Sequence, residues 1–239
     1  MILDRVTVTG ADDSVGPEAL WTLQRRFPFV EWGILLSKSQ EGSPRFPTTK
    51  WIQAFLGGPR SPGGISGHLC GRWVRALLLG GDDFAQMRPT IAGRFDRIQL
   101  NFHASLHDVQ PGEAAPALQA LQPWGGYVVQ VDGVNDDKLR RFQDWGLRVA
   151  PLYDRSGGAG ILPDFWPLPG AGYVGYAGGL SPENVGEQLG RLAAHVPATQ
   201  RLWIDAETRL RSDDDQQFDL DKVHRFLAAA EPWIGGGRG

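Results

Sequence analysis

Short runs of β-branched and apolar residues alternate with segments whose apolar positions recur every three or four residues. That rhythm, strand then amphipathic helix, continues along the chain. Val6–Thr9 is β-branched throughout and predicts a first strand. Pro17 opens a predicted helix through Phe27, with Leu20, Leu23 and Phe27 on one face. Further strands are expected at Val30–Leu36, Ile65–Cys70, Phe95–Asn101, Gly126–Val131, Leu147–Tyr153, Tyr173–Ala177 and Arg201–Asp205. Helices are expected at Lys50–Leu56, Arg72–Leu79, Asp83–Ile91, Glu113–Leu121, Asp136–Trp145 and Asp219–Glu231. Another starts after Gly178-Gly179, where Ser181 reads as an N-cap, Pro182 as the first helical residue and Glu183 as a first-turn carboxylate. Short strand cores, apolar on both faces, suit a parallel sheet covered by helices. Eight such units predict a single-domain (β/α)8 TIM barrel over residues 1–234, followed by a flexible glycine-rich tail at 235–239. An open doubly wound sheet is the alternative.

The length of 239 residues suits one barrel. A net charge of −3 offers no general attraction for nucleic acid or an anionic membrane, and no apolar run approaches a membrane span. Only four of the basic residues are lysines (Lys38, Lys50, Lys138 and Lys222), and none lies at a predicted strand end, which weighs against Schiff-base chemistry. Cys70 is the single cysteine, so neither an internal disulfide nor a multi-cysteine metal site is available. The N-terminus lacks a basic leader and an apolar stretch, and a cytoplasmic protein, monomer or homodimer, is the expectation.

In a barrel of this kind the chemistry sits where strands end at their C-terminal side. The polar residues at those ends are Thr9, Arg45 in the loop after strand two, His68 and Cys70, Gln99, Asn101 and His103, Asp154, and Asp205, Glu207 and Thr208. Glycines follow strand six (Gly157-Gly158-Ala159-Gly160) and strand seven (Gly178-Gly179). Bare backbone N–H groups ahead of a helix cradle anions, and a phosphate site near strands seven and eight is common in barrels.

Several stretches together resemble the phosphoribosylanthranilate isomerase family. Ala177-Gly-Gly-Leu-Ser-Pro-Glu-Asn-Val185 is close to its Ala-Gly-Gly-Leu-Asn-Pro-Glu-Asn-Val signature. Ser43-Pro-Arg-Phe46 after Gly33–Leu36 is similar to its Ser-Pro-Arg-Tyr loop. Ile98–Asn101, Asp154 with Gly157–Gly160, Ile204-Asp205 and Phe218–Phe226 are looser matches to its later elements. The resemblance implies a cofactor-independent and metal-free acid–base isomerase acting on a small phosphorylated sugar derivative. The ribose ring of the aminated sugar would be opened and then isomerised to an aminodeoxyribulose. By position Asp154 would be the acid and Arg45 would steady the substrate. Gly158, Gly160, Gly178, Gly179 and Thr208 would hold phosphate, and Gln99 and Asn101 would contact substrate.

Two departures stand out. Thr9 occupies the place of the family's catalytic cysteine, and an alkyl hydroxyl is no base near neutral pH without help. Glu207 and Arg209 replace a serine and a glycine at the phosphate end of strand eight. Barrel closure would set Glu207 beside Thr9. Glu207 is therefore expected either to supply the missing base, to bind a hydroxyl or amine of another substrate, or to pair with Arg209 or Arg45 at the rim. A catalytically silent barrel that binds a phosphosugar or anion is the second reading.

Four weaker expectations remain. His103 and His107 with Asp108 could form a metal pair but fit surface histidines better. Cys70 is expected to be buried and inert. Phe165 and Trp166 are candidates to wall the pocket. Asp213–Asp215 is expected to be a solvated acidic turn.

Overall fold

The computed structural model describes residues 1–101, 112–133, 136–155 and 159–236. Eight parallel strands close on themselves in sequence order. They are β1 (Ile2–Thr9), β2 (Val30–Leu36), β3 (Ile65–Cys70), β4 (Arg97–Asn101), β5 (Tyr127–Val131), β6 (Val149–Tyr153), β7 (Val174–Ala177) and β8 (Arg201–Ala206). Closure runs through β1 and β8, where Thr7 pairs with Asp205 and Val8 with Ala206. The fold is thus a (β/α)8 barrel, and the open sheet is excluded.

The helices are α1 (Pro17–Arg26), α2 (Thr49–Leu56), α3 (Arg72–Leu79), α4 (Gly81–Ile91), α5 (Ala115–Leu121), α6 (Asp136–Asp144), α7 (Val185–His195) and α8 (Leu220–Ala230). Thr48 caps α2 by accepting from Trp51 N. The start of α7 corrects the sequence reading. The regular helix begins later than expected, at Val185, and Pro182-Glu183 lie in the turn before it; Ser181 still caps that turn, its Oγ accepting from Glu183 N and its carbonyl from Val185 N, while Asn184 Oδ1 accepts from Ser181 N.

The β6–β7 connection carries no helix among its described residues. Trp166 takes that role on the outside of β7: it is buried, edge-on to Tyr176, and its indole N–H donates to Gln188 of α7. Phe165 is exposed and stacks with Arg155. Neither lines the cavity described below, so the expectation that they wall the pocket does not hold.

Alternate residues of each strand face outward into a continuous apolar layer beneath the helices, as with Val6, Val8, Trp32, Ile34, Leu69, Leu100 and Ile204. The inward faces correct another expectation, because they are not uniformly apolar. One side of the interior is Val128, Leu152, Ala177 and Trp203. The side built by β1–β4 is polar: Thr7, Thr9, Glu31, Ser66, His68, Arg97 and Gln99 are all buried. Near the N-terminal ends of the strands, Glu31 is fully buried between Arg97 and Arg5 and accepts from Thr7 Oγ1 at 2.7 Å. Burial opposes ionisation of Glu31, but the two guanidiniums outweigh it and hold the carboxyl below its ordinary range. Arg97 also lies over the Trp203 ring at 4.2 Å, which joins the polar half to the apolar half.

Candidate functional site

At the C-terminal ends of the strands the interior opens into a cavity of about 190 Å3. Arg45, His68, Gln99, Asn101, Asp154, Gly160, Gly178, Gly179, Asp205, Glu207 and Thr208 all line it. Gly158, His103, His107 and Asp108 lie outside the described residues. Among the described residues no cluster of three metal-ligating side chains occurs, and no helix is long and apolar enough to cross a membrane.

Thr9 is the last residue of β1 and is buried. Its hydroxyl donates to Asp205 Oδ1 at 2.9 Å, so it is engaged with the carboxylate of the neighbouring strand. Asp205 is enclosed, and burial drives its pKa up to about 8; the Thr9 hydrogen bond opposes the shift and the Glu207 charge adds to it. It therefore exchanges protons close to neutrality. Asp205 appeared in the sequence only as a strand-end residue without a role. The cue was its inward register against Thr7, which needs the closed barrel to be known.

Asp154 follows β6, is buried, and accepts from Gln130 Nε2 of β5 at 3.1 Å. On β4, Gln99 Nε2 donates to Asn101 Oδ1 at 2.9 Å, and Asn101 Nδ2 donates to Cys70 Sγ at 3.3 Å. Burial pushes the Cys70 thiol up to about 12, so it stays protonated and inert.

Glu207 packs over the end of β1, where a Cβ on Gly10 would meet its Cγ at 3.2 Å. Its carboxylate is held by Arg45 Nη1 at 2.6 Å. Burial raises the Glu207 pKa, and Arg45 acts against the rise. Arg209 is exposed at the same rim, so the pairing partner of Glu207 is Arg45. Arg45 sits at φ 69°, a left-handed conformation that few non-glycine residues adopt. Its backbone N–H donates to Asp12 Oδ2, and its other guanidinium nitrogen pairs with Asp215. Fully buried Arg211 braces the same carboxylates, contacting Asp12 at 2.8 Å and Asp215 at 2.7 Å. Asp215 thus corrects the expectation of a merely solvated acidic turn: it anchors the arginine of the loop after β2.

The glycines after β6 and β7 meet above Thr208. Gly178 and Gly179 have φ of 112° and 63°, which explains glycine at both positions. A Cβ on Gly179 would stand 2.3 Å from Leu162 N, and one on Gly160 would stand 3.1 Å from the Thr208 side chain. Close approach of three loop ends therefore demands these residues. The cavity continues outward into a groove that Thr208, Arg209 and Lys222 border.

His68, one residue pair deeper on β3, also faces this space. It is buried beside Gly33 and lines the cavity, and burial drives its pKa down to about 3. Sequence reading placed it near a strand end and assigned it nothing. Its signal was the alternation Ser66, His68, Cys70 along one face of a strand.

No protein-family model matches the chain, and no curated protein matches it. Solved structures do. The chain is similar to phosphoribosyl anthranilate isomerase from Thermus thermophilus, with a TM-score of 0.59 and 16% identity over 95% of this chain and 98% of that one. It is similar to the Thermotoga maritima isomerase, with a TM-score of 0.56 and 11% identity over 97% and 99%. A further phosphoribosyl anthranilate isomerase, solved in complex with reduced 1-(o-carboxyphenylamino)-1-deoxyribulose 5-phosphate, aligns with a TM-score of 0.57 and 12% identity. The chain has a (β/α)8 barrel fold like that of the phosphoribosylanthranilate isomerases.

Proposed function

We propose that this protein is an acid–base isomerase of the phosphoribosylanthranilate isomerase kind, acting without a cofactor on a small phosphorylated sugar derivative. The observation that carries the reading is the pair of buried carboxyl groups, Asp154 and Asp205, lining one cavity at the C-terminal ends of the strands. Isomerisation of an aminated ribose needs an acid for the ring oxygen and a base for the proton on C2. Asp154 is the acid. Asp205 is the base in place of Glu207, because Glu207 is engaged by Arg45 at 2.6 Å while Asp205 lines the cavity beside Thr9, at the position of the family's cysteine. Thr9 then orients Asp205 where the family's cysteine would itself act. Gly160, Gly178, Gly179 and Thr208, with Gly158, receive the phosphate, Arg45 and Arg209 contribute positive charge, and Gln99 and Asn101 contact the sugar.

The test is turnover of phosphoribosylanthranilate followed by fluorescence. Asp154→Asn and Asp205→Asn are each expected to reduce kcat by about 100-fold or more, and Glu207→Gln by much less. Loss on Glu207→Gln with none on Asp205→Asn would move the base to Glu207. The second reading, a phosphosugar-binding barrel without turnover, is favoured by Thr9 standing in place of a thiol. Binding without turnover, unchanged by Thr9→Cys, would support it.

A further inference from the structure

Among the described residues, the buried polar side chains of the cavity are paired off against one another, with His68 as the exception. Thr9 is bonded to Asp205, Gln99 to Asn101, Gln130 to Asp154 and Arg45 to Glu207. His68 is 1% exposed and lines the same cavity, yet its Nε2 has no hydrogen-bond partner among the described residues. Buried polar atoms in folded proteins are seldom left in that state.

The placement of the ring is specific. His68 lies on β3 between Leu35 of β2 and Gln99 of β4. Its imidazole reaches across Gly33, which pairs with Thr9 of β1. A Cβ on Gly33 would stand 2.1 Å from Thr9 Oγ1 and 3.0 Å from His68 Nε2. The glycine is what lets the ring approach the Thr9–Asp205 pair. Glu31 and Arg97 act on the imidazole with opposite signs and leave burial as the dominant influence, so the ring is neutral. A neutral imidazole nitrogen donates or accepts one hydrogen bond according to tautomer.

We infer that His68 is a ligand-recognition residue, whose Nε2 forms a hydrogen bond with a hydroxyl of the sugar portion of the bound substrate, beside Thr9 and Asp205. The inference rests on the phosphosugar reading above and adds to it a contact that the family resemblance does not supply. A hydroxyl suits the site because it both donates and accepts, whereas an apolar ligand would leave Nε2 without a partner. The pocket wall made by β1–β4 then recognises the sugar, and the glycine side at β6–β8 recognises its anionic end.

The probe is reduced 1-(o-carboxyphenylamino)-1-deoxyribulose 5-phosphate, titrated calorimetrically into the wild-type protein and into His68→Leu and His68→Gln. His68→Leu is expected to weaken binding by about tenfold or more, equivalent to one good hydrogen bond, and His68→Gln to recover part of it. The melting temperature of unliganded His68→Leu is expected to stay level or rise, because leucine removes an unpaired buried polar atom. A purely structural histidine would instead lower it. In the wild-type protein the His68 ring nitrogen resonances are expected to move on saturation with the probe. Equal affinity of wild type and His68→Leu, or ring resonances that stay put at saturation, would overturn the role of His68 and leave the phosphosugar reading standing. Failure of the wild-type protein to bind millimolar probe would overturn both.

Discussion

At the scale of single residues, two buried groups at the end of the barrel titrate in opposite directions, and their difference sets a pH dependence of stability. Asp205 has a folded pKa of about 8 against an ordinary 3.8. The folded chain binds more protons there than the unfolded chain, so this group lowers stability as pH rises from about 4 to 8. His68 has a folded pKa of about 3 against an ordinary 6.5. Its contribution is present above 6.5 and is lost as pH falls toward 3. The two slopes offset each other between about 4 and 6.5. From about 6.5 to 8 Asp205 acts without the offset from His68, and its contribution to stability is expected to fall by up to about 1.4 kcal/mol per pH unit, with the raised pKa of Glu207 acting in the same direction. Urea midpoints measured across that range test this. Asp205→Asn should flatten the decline, and His68→Gln should extend it down to about pH 4. A decline that survives Asp205→Asn would assign it to another group.

At the scale of elements, the repeating strand-and-helix pattern was legible because outward strand residues and inward helix faces share one apolar layer, and periodicity reports that layer directly. β2 and α2 show it, with Trp32 and Ile34 of the strand and Trp51 and Phe55 of the helix all buried in the same apolar cluster. Thr48 caps α2 and also ties the loop after β2 to Asp13. Its hydroxyl accepts from Trp51 N and donates to Asp13 Oδ1 at 2.7 Å, and its backbone N–H donates to Asp13 Oδ2. Thr48→Ala is expected to cost about 1 kcal/mol in chemical denaturation, and Asp13→Ala added to it should cost less than it does alone. What the sequence hid were features of tertiary origin. Polar residues on the inward faces of β1–β4 interrupt no local pattern, and their partners lie one or more strands away. Glu31 and Arg97 are 66 residues apart, and Thr9 and Asp205 are 196 apart. The candidate site was legible where a motif carried it, at Asp154, Arg45 and the glycines. It was hidden where barrel closure makes it, at Asp205 and His68.

At the scale of the whole molecule, the barrel interior combines an apolar cluster of Val128, Leu152, Ala177 and Trp203 on β5–β8 with a polar set on β1–β4, and the buried side chains of Gln130, Asp154 and Asp205 carry polarity to the cavity end of β5–β8. The polar set depends on Glu31, whose single carboxylate is shared by Arg97 and Arg5. Removing one partner of a buried ion pair strands the other, which typically costs about 3–5 kcal/mol. Arg97→Met is expected to destabilise the protein by about that amount in guanidinium unfolding. Arg97→Met combined with Glu31→Gln should recover much of it, and a cost of under about 1 kcal/mol for the single change would deny the pair its role. The cavity also contains the chain's one sulfhydryl, Cys70, with its proton held so firmly that alkylating reagents meet almost no thiolate. Chemical labelling at neutral pH is therefore expected to be slow even though the Cys70 side chain is partly exposed. One mass increment per labelled molecule then reports how far the surroundings of that thiol, at the floor of the candidate site, hold it in its protonated form, with no engineered tag.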